Sequence, residues 1–419
     1  MHREHGKVPG GQAMHDAVET LAARARFDGA ELAVFVRVGE MEGAYYIDCG
    51  DAQWRSVKVT PGEWRVVQEP RVKFRRAPGM KALPEPKRGG TLDELRRFVN
   101  VGNDADWRML LAWLVMACGP HGPFPVLVLS GEQGSAKTTA ARLLRALVDP
   151  STAPVRTMPR DERDLMIAAS TSSWVFSLDN VSYLQPWQSD ALCRLATGGG
   201  LATRALYTDD EEVIHEARRP VIINGIEDFV TRDDLRDRSV TLMLDAIPPE
   251  RRRDEQSVML EFEDARRRIF GALLDALAGA LKELPGVPKT GLPRMADFAR
   301  MGIATERALG WPPGSFMEAY DADRAASCAA SLEGSPVGQA VLALVARGPF
   351  EGTATALLRK LRDSEQALNN GWPRHPKALA NSLKRIAPAL RAAGVKYTPP
   401  KKTGHAGERV LRLESQAEE

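Results

Sequence analysis

The spacing of apolar residues in the first third of the chain changes from helical to extended. From Met14 to Ala25 apolar side chains recur every three or four positions, which predicts a short amphipathic helix. From Leu32 to Val67 they alternate with polar residues in runs separated by turn residues, which predicts a small antiparallel β unit. No catalytic constellation falls in this unit, so we interpret it as a docking or specificity module.

Beyond position 120 the pattern predicts buried strands that alternate with helices. The predicted strands are short apolar runs bounded by polar or turn residues. They are Phe124 to Leu129, Trp174 to Asn180, Arg219 to Gly225 and Ser239 to Leu244. Helical patterns lie between them over residues 140–148, 161–169 and 188–196, and residues 201–217 predict a hairpin. This alternation predicts an α/β core.

The last third of the chain is mainly helical. From Ser257 to Leu284 the spacing predicts one long amphipathic helix, and residues 294–331 predict further helices, so we expect a helical lid packed on the core. Small and turn-forming residues at 333–336 predict a linker. Three helices and then two strands follow, which is the order of a winged helix. The predicted units are residues 1–90, 91–250, 251–332 and 333–419.

Composition narrows the class of protein. With 419 residues, 43% of them hydrophobic, the chain can form roughly two to four domains with sizeable cores. Its cysteines are scattered and lack a close cysteine or histidine partner, so the sequence predicts neither a zinc site nor a disulfide framework. No stretch approaches the ~18 apolar residues of a membrane span, and no signal peptide is recognisable. We therefore expect a cytoplasmic protein.

The formal net charge of +2 is small, but the basic residues cluster in two stretches. Residues 71–88 hold seven basic residues and one acid, and this stretch either contacts a nucleic-acid backbone or forms a solvated linker. Residues 370–413 hold ten basic residues and one acid. This excess is typical of DNA binding, although a winged helix that docks on protein can carry the same solvated basic face. The predicted DNA-binding residues are Lys377, Lys384, Arg385, Lys401 and Lys402.

The strongest motif is the glycine-rich loop between the first core strand and its following helix. In this context the backbone N–H groups of the loop face phosphate oxygens, the lysine adds a cation, and the threonine offers a hydroxyl to Mg²⁺. The alternative is a glycine-rich turn with a chance lysine. The predicted nucleotide-binding residues are Gly131, Glu132, Gln133, Gly134, Ser135, Ala136, Lys137, Thr138 and Thr139. We therefore predict that the chain binds ATP and Mg²⁺.

Two later core strands end in polar residues. The strand over 174–180 reaches Asp179, which would hold Mg²⁺ or its water together with Thr138. The strand over 219–225 carries Asn224 at its tip, where an amide can point at the attacking water or the γ-phosphate. For both residues the alternative is a side chain that only turns the chain after a strand. Loop, carboxylate and amide together predict an ATPase.

These motifs resemble those of superfamily III helicases, the ring-forming AAA+ ATPases of viral, phage and plasmid replication. The resemblance is closer to the helicase-like ATPases of phages and integrated elements, and it covers residues 120–250 well and the helices to about 320 loosely. It implies a P-loop NTPase core of the AAA+ type and assembly into a ring, which we expect to be a hexamer. It also implies single-stranded or forked DNA as a partner and a primase or replication initiator as a further one.

The resemblance also assigns roles to single residues. Asn224 matches the sensor 1 asparagine, and Arg238 matches the arginine finger that reaches into a neighbouring subunit's site. Arg236 is the alternative finger, and Arg204 stands where such proteins can place another trans-acting basic residue. A surface arginine paired with a nearby aspartate is the alternative interpretation of Arg238. The predicted catalytic residues are Lys137, Asp179, Asn180, Asn224 and Arg238.

Three positions depart from the family pattern. Ala136 occupies the second glycine position of the loop, as in minichromosome maintenance helicases. Asn180 stands where many AAA+ proteins carry the glutamate that polarises water, and an amide orients water but accepts no proton. Residues 209–212 are four acids where relatives place basic residues for the DNA strand, and acids repel phosphates.

The sequence thus supports two functions. We expect an ATP-hydrolysing, ring-forming DNA helicase or translocase of phage or mobile-element replication. The alternative is an ATP-dependent DNA-binding or assembly protein without unwinding activity, which Asn180 and the acids at 209–212 favour. A metabolic P-loop kinase is a more distant possibility, because Asn224 and Arg238 would then have no role.

Overall fold

A computed structural model describes residues 6, 10–171, 173–204, 212–226, 229–362, 372–403 and 408–416. Its N-terminal part begins with a helix and continues with short strands. They are α1 (Gly11–Phe27), β1 (Val34–Phe35), β2 (Val38–Met41), β3 (Ala44–Asp48), β4 (Ser56–Thr60), β5 (Glu63–Val67) and β6 (Lys73–Phe74). Strands β2 to β5 pair antiparallel in chain order, so the predicted antiparallel β unit is confirmed.

The central part alternates strands and helices as the sequence predicts. Its elements are α2 (Asp93–Arg96), α3 (Asp104–Ala117), β7 (Val126–Ser130), α4 (Lys137–Val148), α5 (Glu162–Thr171), β8 (Phe176–Leu178), α6 (Pro186–Thr197), β9 (Gly199–Arg204), β10 (Glu212–Ala217), β11 (Val221–Asn224), α7 (Asp233–Arg236) and β12 (Ser239–Met243). The predicted hairpin is confirmed by the antiparallel pairing of β9 and β10.

One parallel sheet, in the order β12–β7–β11–β8, organises this central part. Ile222 of β11 aligns with Leu127 of β7 on one side and with Ser177 of β8 on the other. Apolar side chains on both faces are buried, as in parallel sheets covered by helices on each side. Leu127 and Leu129 share a core with α4, whereas Val126 and Val128 share a core with α5 and α6. The α/β class is therefore confirmed.

The outer edge of β12 is closed by side chains. Within the described residues β12 pairs only with β7, so alternate N–H groups of β12 point away from the sheet. Thr241 N–H donates to Asp323 Oδ1 (3.1 Å), and Met243 N–H donates to Asp106 Oδ2 (3.3 Å). Burial raises the pKa of Asp323 to about 7 and also raises the pKa of Asp106. Two carboxyl groups thus satisfy donors that a further strand would otherwise take.

A buried arginine joins the N-terminal β unit to the central part. Arg37 is fully buried, and its Nε lies 3.0 Å from Asp149 Oδ1 at the end of α4. The second oxygen of Asp149 accepts the N–H groups of Trp174 and Val175, which lead into β8. Trp64 of β5 adds a hydrogen bond from its Nε1 to Asp275 (2.7 Å). The β unit therefore packs on the same framework that carries the glycine-rich loop.

The remaining elements are mainly helical. They are 3₁₀ turns at Pro249–Arg251 and Leu284–Gly286, the helices α8 (Glu255–Glu283), α9 (Ala296–Leu309), α10 (Ser315–Glu333), α11 (Pro336–Val345), α12 (Ala354–Leu361) and α13 (Pro376–Ala392), and the strands β13 (Phe350–Thr353), β14 (Val395–Thr403) and β15 (Glu408–Ser415). The long helix predicted from Ser257 is α8. Strand β13 was not predicted, and it pairs with β15 in the three-stranded sheet β13–β15–β14.

The predicted linker at 333–336 is shorter in the structure. Helix α10 continues to Glu333 and α11 starts at Pro336, with a bend of 97° between the two helices. No single helix of the described residues is long and apolar enough to cross a membrane, and this bent pair meets the length and composition criteria only when its two helices are taken together.

Candidate functional site

The glycine-rich loop connects the carboxyl end of β7 to the first residue of α4, Lys137. Three loop residues have positive φ: Gly131 (150°), Gly134 (86°) and Ala136 (62°). A side chain at Gly131 would begin 2.3 Å from the carbonyl oxygen of Leu244, so only glycine fits there. Ala136 adopts the left-handed region with a methyl group, which is tolerated less readily than glycine. The loop therefore forms despite its departure from the motif.

Lys137 bends back over the loop. Its Nζ donates to the carbonyl oxygens of Gly131 (2.7 Å) and Glu132 (2.7 Å) and to Ser135 Oγ (3.2 Å). Partial burial lowers the pKa of the ammonium group below its ordinary value. A lysine held here places a positive charge beside the N-terminus of α4, where the helix dipole also favours an anion.

The next helical residue brings the loop into contact with the strand β8. Thr138 Oγ1 donates to Asp179 Oδ1 at 2.8 Å, so the two predicted metal ligands lie next to each other. Asp179 is held in place by its N–H, which donates to the carbonyl oxygen of Arg156 (2.8 Å). A hydroxyl and a carboxylate in contact suit Mg²⁺, which is usually bound by one or two protein oxygens together with phosphates and water. The described residues hold no cluster of three or more metal-ligating side chains.

Asn224 lies on the neighbouring strand β11 and is 1% exposed. Its Oδ1 accepts the N–H of Asn180 (2.9 Å), which fixes the orientation of the amide group because only the oxygen can accept. Among the described residues the Nδ2 of Asn224 has no hydrogen-bond partner. A buried donor without an acceptor is costly, and such donors occur where a ligand completes the bond. Asn180 is itself exposed and has a positive φ of 54°.

Arg238 lies at the amino ends of the parallel strands, whereas the glycine-rich loop lies at their carboxyl ends. It precedes β12, and its carbonyl oxygen accepts the N–H of Val126 at the start of β7 (2.8 Å), whereas the glycine-rich loop follows the end of β7. A strand rises about 3.3 Å per residue, so the five residues of β7 separate Arg238 from its own loop by roughly 15 Å. Its Nη1 contacts the backbone and side chain of Asp234. This is the aspartate pairing that the sequence left open.

The other predicted trans-acting residues differ in their surroundings. Arg236 donates to the carbonyl oxygens of Val230 and Ser327 and is tied to α10. The backbone of Arg204 lies opposite that of Glu212 in the β9–β10 hairpin, and the side chain of Arg204 lies outside the described part of the structure. The acids Asp209, Asp210 and Glu211 also lie outside the described residues, as does the side chain of Glu212.

The predicted DNA-binding residues lie on α13 and β14. Lys377, Lys384 and Lys401 are exposed, and the side chain of Lys402 lies outside the described part. Arg385 is 67% exposed and its Nε lies 3.8 Å from Asp233 Oδ2 of α7. Helix α13 also packs on α10, so the C-terminal unit contacts the preceding helical elements through its third helix.

The basic stretch 71–88, which we call the basic strap, is mostly bonded to the protein itself. Arg76 binds both oxygens of Asp48 (2.8 and 2.7 Å). Arg75 donates to the carbonyl oxygen of Ser170 (3.2 Å), and Arg88 donates to that of Trp64 (2.6 Å). These contacts favour a structural role for the strap over contact with nucleic acid.

Sequence reasoning missed two features beside the predicted site. The segment after β12 covers the outer side of the glycine-rich loop, and Ile247 N–H donates to the carbonyl oxygen of Gly134 (3.3 Å). Its signal in the sequence was the run Arg251-Arg252-Arg253, whose position relative to the loop becomes clear only in the folded chain. A largely apolar groove of about 700 Å³ also lies between α3, β12 and α10, beside Asp106 and Asp323.

Comparisons with known proteins place the chain in a replication context. Residues 92–326 match the family model described as actinomycete integrative conjugative element replication protein. Residues 337–419 match the model of the AICE RepA C-terminal domain. No curated protein sequence matches the chain.

Solved structures with a similar outline include three apo structures of the NrS-1 C-terminal region. Two of them share 11% sequence identity with this chain. The match to the first has a TM-score of 0.40 and covers 89% of this chain and 97% of the solved chain. The match to the second has a TM-score of 0.38 and covers 88% of this chain and 96% of the solved chain. The third shares 12% identity, with a TM-score of 0.38 and coverage of 87% and 95%. Likeness at this level carries no argument about the site. The first family model spans more than half of the sequence, and the chain therefore belongs to the family of actinomycete integrative conjugative element replication proteins.

Proposed function

We propose that this replication protein is a Mg²⁺-dependent ATPase of the AAA+ type that assembles into a ring, a hexamer, and moves along DNA as a helicase or translocase. The contact between Thr138 and Asp179 (2.8 Å) is the observation that carries the proposal. It joins the glycine-rich loop to the strand that ends in a carboxylate, as hydrolysis of a nucleoside triphosphate requires. The family supplies the context, which is replication of a mobile element.

The residues at the carboxyl edge of the sheet suit the parts of this reaction. Lys137 and the N-terminus of α4 would bind the phosphates, and Thr138 with Asp179 would hold Mg²⁺, which neutralises charge on the transferred group. The free Nδ2 of Asn224 can donate to a γ-phosphate oxygen or to the attacking water. Asn180 holds that amide in place through its N–H.

The position of Arg238 supports an active site shared between subunits. Because it lies roughly 15 Å from its own loop along β7, an arginine finger at this position would act on the site of a neighbouring copy and not on its own. Its contact with Asp234 then has to be exchanged for a phosphate when the subunits assemble. The guanidinium would stabilise the negative charge that develops during phosphoryl transfer.

The test measures ATP turnover with and without single-stranded DNA, unwinding of a forked duplex, and mass in solution by light scattering. We expect turnover that DNA stimulates, loss of turnover in Lys137→Ala and Asp179→Ala, and a nucleotide-dependent hexamer. Arg238→Ala should keep ATP binding but lose turnover, as expected for a residue that acts across the subunit boundary. A protein that stays monomeric at all nucleotide concentrations would rule out this role for Arg238.

A second function rests on Asn180. Its amide cannot accept a proton from water, and the carboxylate of Asp179 is bonded to Thr138. An ATP-dependent DNA-binding or assembly protein would use the nucleotide to order an oligomer, with the C-terminal unit contacting DNA and a primase or replication initiator as a partner. A rate of ATP turnover that DNA does not change, together with the absence of unwinding, would favour this function over that of a helicase.

A further inference from the structure

The segment that follows β12 is fixed against the glycine-rich loop. Leu244 N–H donates to the carbonyl oxygen of Ser130 (2.8 Å), and Ile247 N–H donates to that of Gly134 (3.3 Å). The 3₁₀ turn Pro249–Arg251 then reverses the chain, and Arg252 Nε donates back to the carbonyl oxygen of Ile247 (3.0 Å). Arg252 is therefore held beside the loop by a defined path of hydrogen bonds, although its side chain is exposed.

The guanidinium group of Arg252 rests directly on Gly134. A Cβ atom added to Gly134 would lie 3.3 Å from Arg252 Nη2 and 3.7 Å from its Cζ. Gly134 also has a φ of 86°, a backbone conformation that favours glycine.

The outer nitrogens of this guanidinium have no acceptor among the described residues. Within the described part of the chain only Nε of Arg252 is hydrogen-bonded, and no carboxylate lies within ion-pair distance of Nη1 or Nη2. Two nearby arginines differ, since Arg253 pairs with Glu261 and Arg142 pairs with Glu255. Lys137, the other cation of the loop, already donates to three oxygen atoms of the loop itself.

This inference rests on the proposed binding of ATP at the loop. We propose that Arg252 is a further phosphate-binding residue, which uses its free Nη1 and Nη2 to bind the phosphate chain of the nucleotide from the open side of the loop. A guanidinium presents parallel N–H donors that match phosphate oxygens, and such charge-assisted bonds are among the stronger hydrogen bonds in proteins. The site then has two cations on different elements, Lys137 on α4 and Arg252 on the segment after β12.

The experiment measures binding without turnover, by calorimetric titration of the full-length protein with ATP, ADP, inorganic tripolyphosphate and adenosine. Arg252→Ala should weaken ATP, ADP and tripolyphosphate about tenfold and leave adenosine unchanged, because only the phosphate contact is lost. Arg252→Lys should recover part of the affinity, since it keeps the charge but not the paired donors. Arg253→Ala is the matched control. It removes the same charge from the next residue, whose side chain pairs with Glu261 and not with the loop.

The outcomes separate this inference from the proposed function. If the wild-type protein binds no ATP, the proposed function fails. If wild type binds ATP and Lys137→Ala does not, while Arg252→Ala binds as wild type does, only the role of Arg252 is overturned. A loss of adenosine affinity equal to the loss of ATP affinity would also overturn it, since Arg252 would then contact the base or ribose. Thermal unfolding of each variant shows that any loss is not caused by misfolding.

Discussion

The basic strap and the basic face of the C-terminal unit have similar compositions but different surroundings. In the strap, Arg76 binds Asp48, and Arg75 and Arg88 donate to carbonyl oxygens. On the C-terminal unit, Lys377, Lys384 and Lys401 remain exposed. The comparison teaches that a local excess of positive charge does not by itself identify a nucleic-acid surface, because several arginines of the strap bind acceptors of the folded chain while its lysines are exposed.

Replacing Arg76 with alanine should have the largest effect, and the effect should be on stability. Asp48 is 1% exposed, and Arg76 binds both of its oxygens. Without the guanidinium the carboxylate stays buried with its charge unpaired, which should lower the free energy of unfolding by about 3 kcal/mol. Urea titration followed by circular dichroism measures this. A variant as stable as wild type would mean that the strap arginine is not structural.

A buried acid without a positive partner should show the opposite behaviour. Burial raises the pKa of Asp323 to about 7, against an ordinary value of 3.8. Between these values the unfolded chain has lost the proton that the folded chain keeps, so stability falls as pH rises from about 4 to about 7 and then levels off. Asp323→Asn keeps an acceptor for Thr241 N–H without this penalty.

We therefore expect Asp323→Asn to raise the free energy of unfolding by about 2 kcal/mol at pH 8, which is the roughly 4 kcal/mol of the pKa difference less the cost of burying the amide, and to change it little at pH 4. Thermal unfolding at the two pH values measures the difference. Equal effects at both pH values would show that the titration of Asp323 does not contribute. Asp48→Asn is the comparison, because it removes the charge of an acid that is paired with Arg76 and should therefore lower the free energy of unfolding.

Removing two lysines of the exposed face should affect DNA binding and not stability. The double variant Lys377→Ala and Lys384→Ala should bind DNA about tenfold more weakly, and the slope of log affinity against log salt should fall by about 2. Fluorescence anisotropy at several salt concentrations measures both quantities. An unchanged slope would contradict contact between these lysines and phosphates.

The smallest effect is expected for Arg71→Ala in the strap. The side chains of Arg71 and Glu42 are 76% and 74% exposed, so their ion pair contributes little. The free energy of unfolding should change by no more than about 0.5 kcal/mol, and DNA affinity should stay as in wild type. A loss of DNA affinity comparable to that of the double lysine variant would show that the strap binds nucleic acid after all.

The sequence predicts the central sheet and the residues at its carboxyl edge well. Apolar runs marked the strands, and the ends of parallel strands meet at one edge, so Thr138 and Asp179 were expected to lie together. Whether these residues bind ATP and Mg²⁺ stays a prediction. Strand β13 was missed because Phe350–Thr353 is too short to show alternation, and it becomes a strand only by pairing with β15.

Partners of charged residues were the part that sequence could not reveal. Arg76 meets Asp48, Asp323 meets Thr241, and Arg385 approaches Asp233, each across a long separation along the chain. Such pairs depend on how the elements pack, and no local pattern encodes them. The pairing of Arg238 with Asp234 is the exception. These residues are four positions apart, a spacing that brings side chains together on a helical turn, so the pair could be proposed from the sequence.

The closed edge of β12 has a consequence for how copies of this protein can meet. A strand of another chain could pair with β12 only through the N–H groups of Thr241 and Met243. Both groups already donate to carboxyl groups from α10 and α3. An incoming strand would have to displace two side chains at once. The central sheet is thus protected on this side from continuing into a neighbour, and a subunit that contacts this edge would do so through side chains and helices.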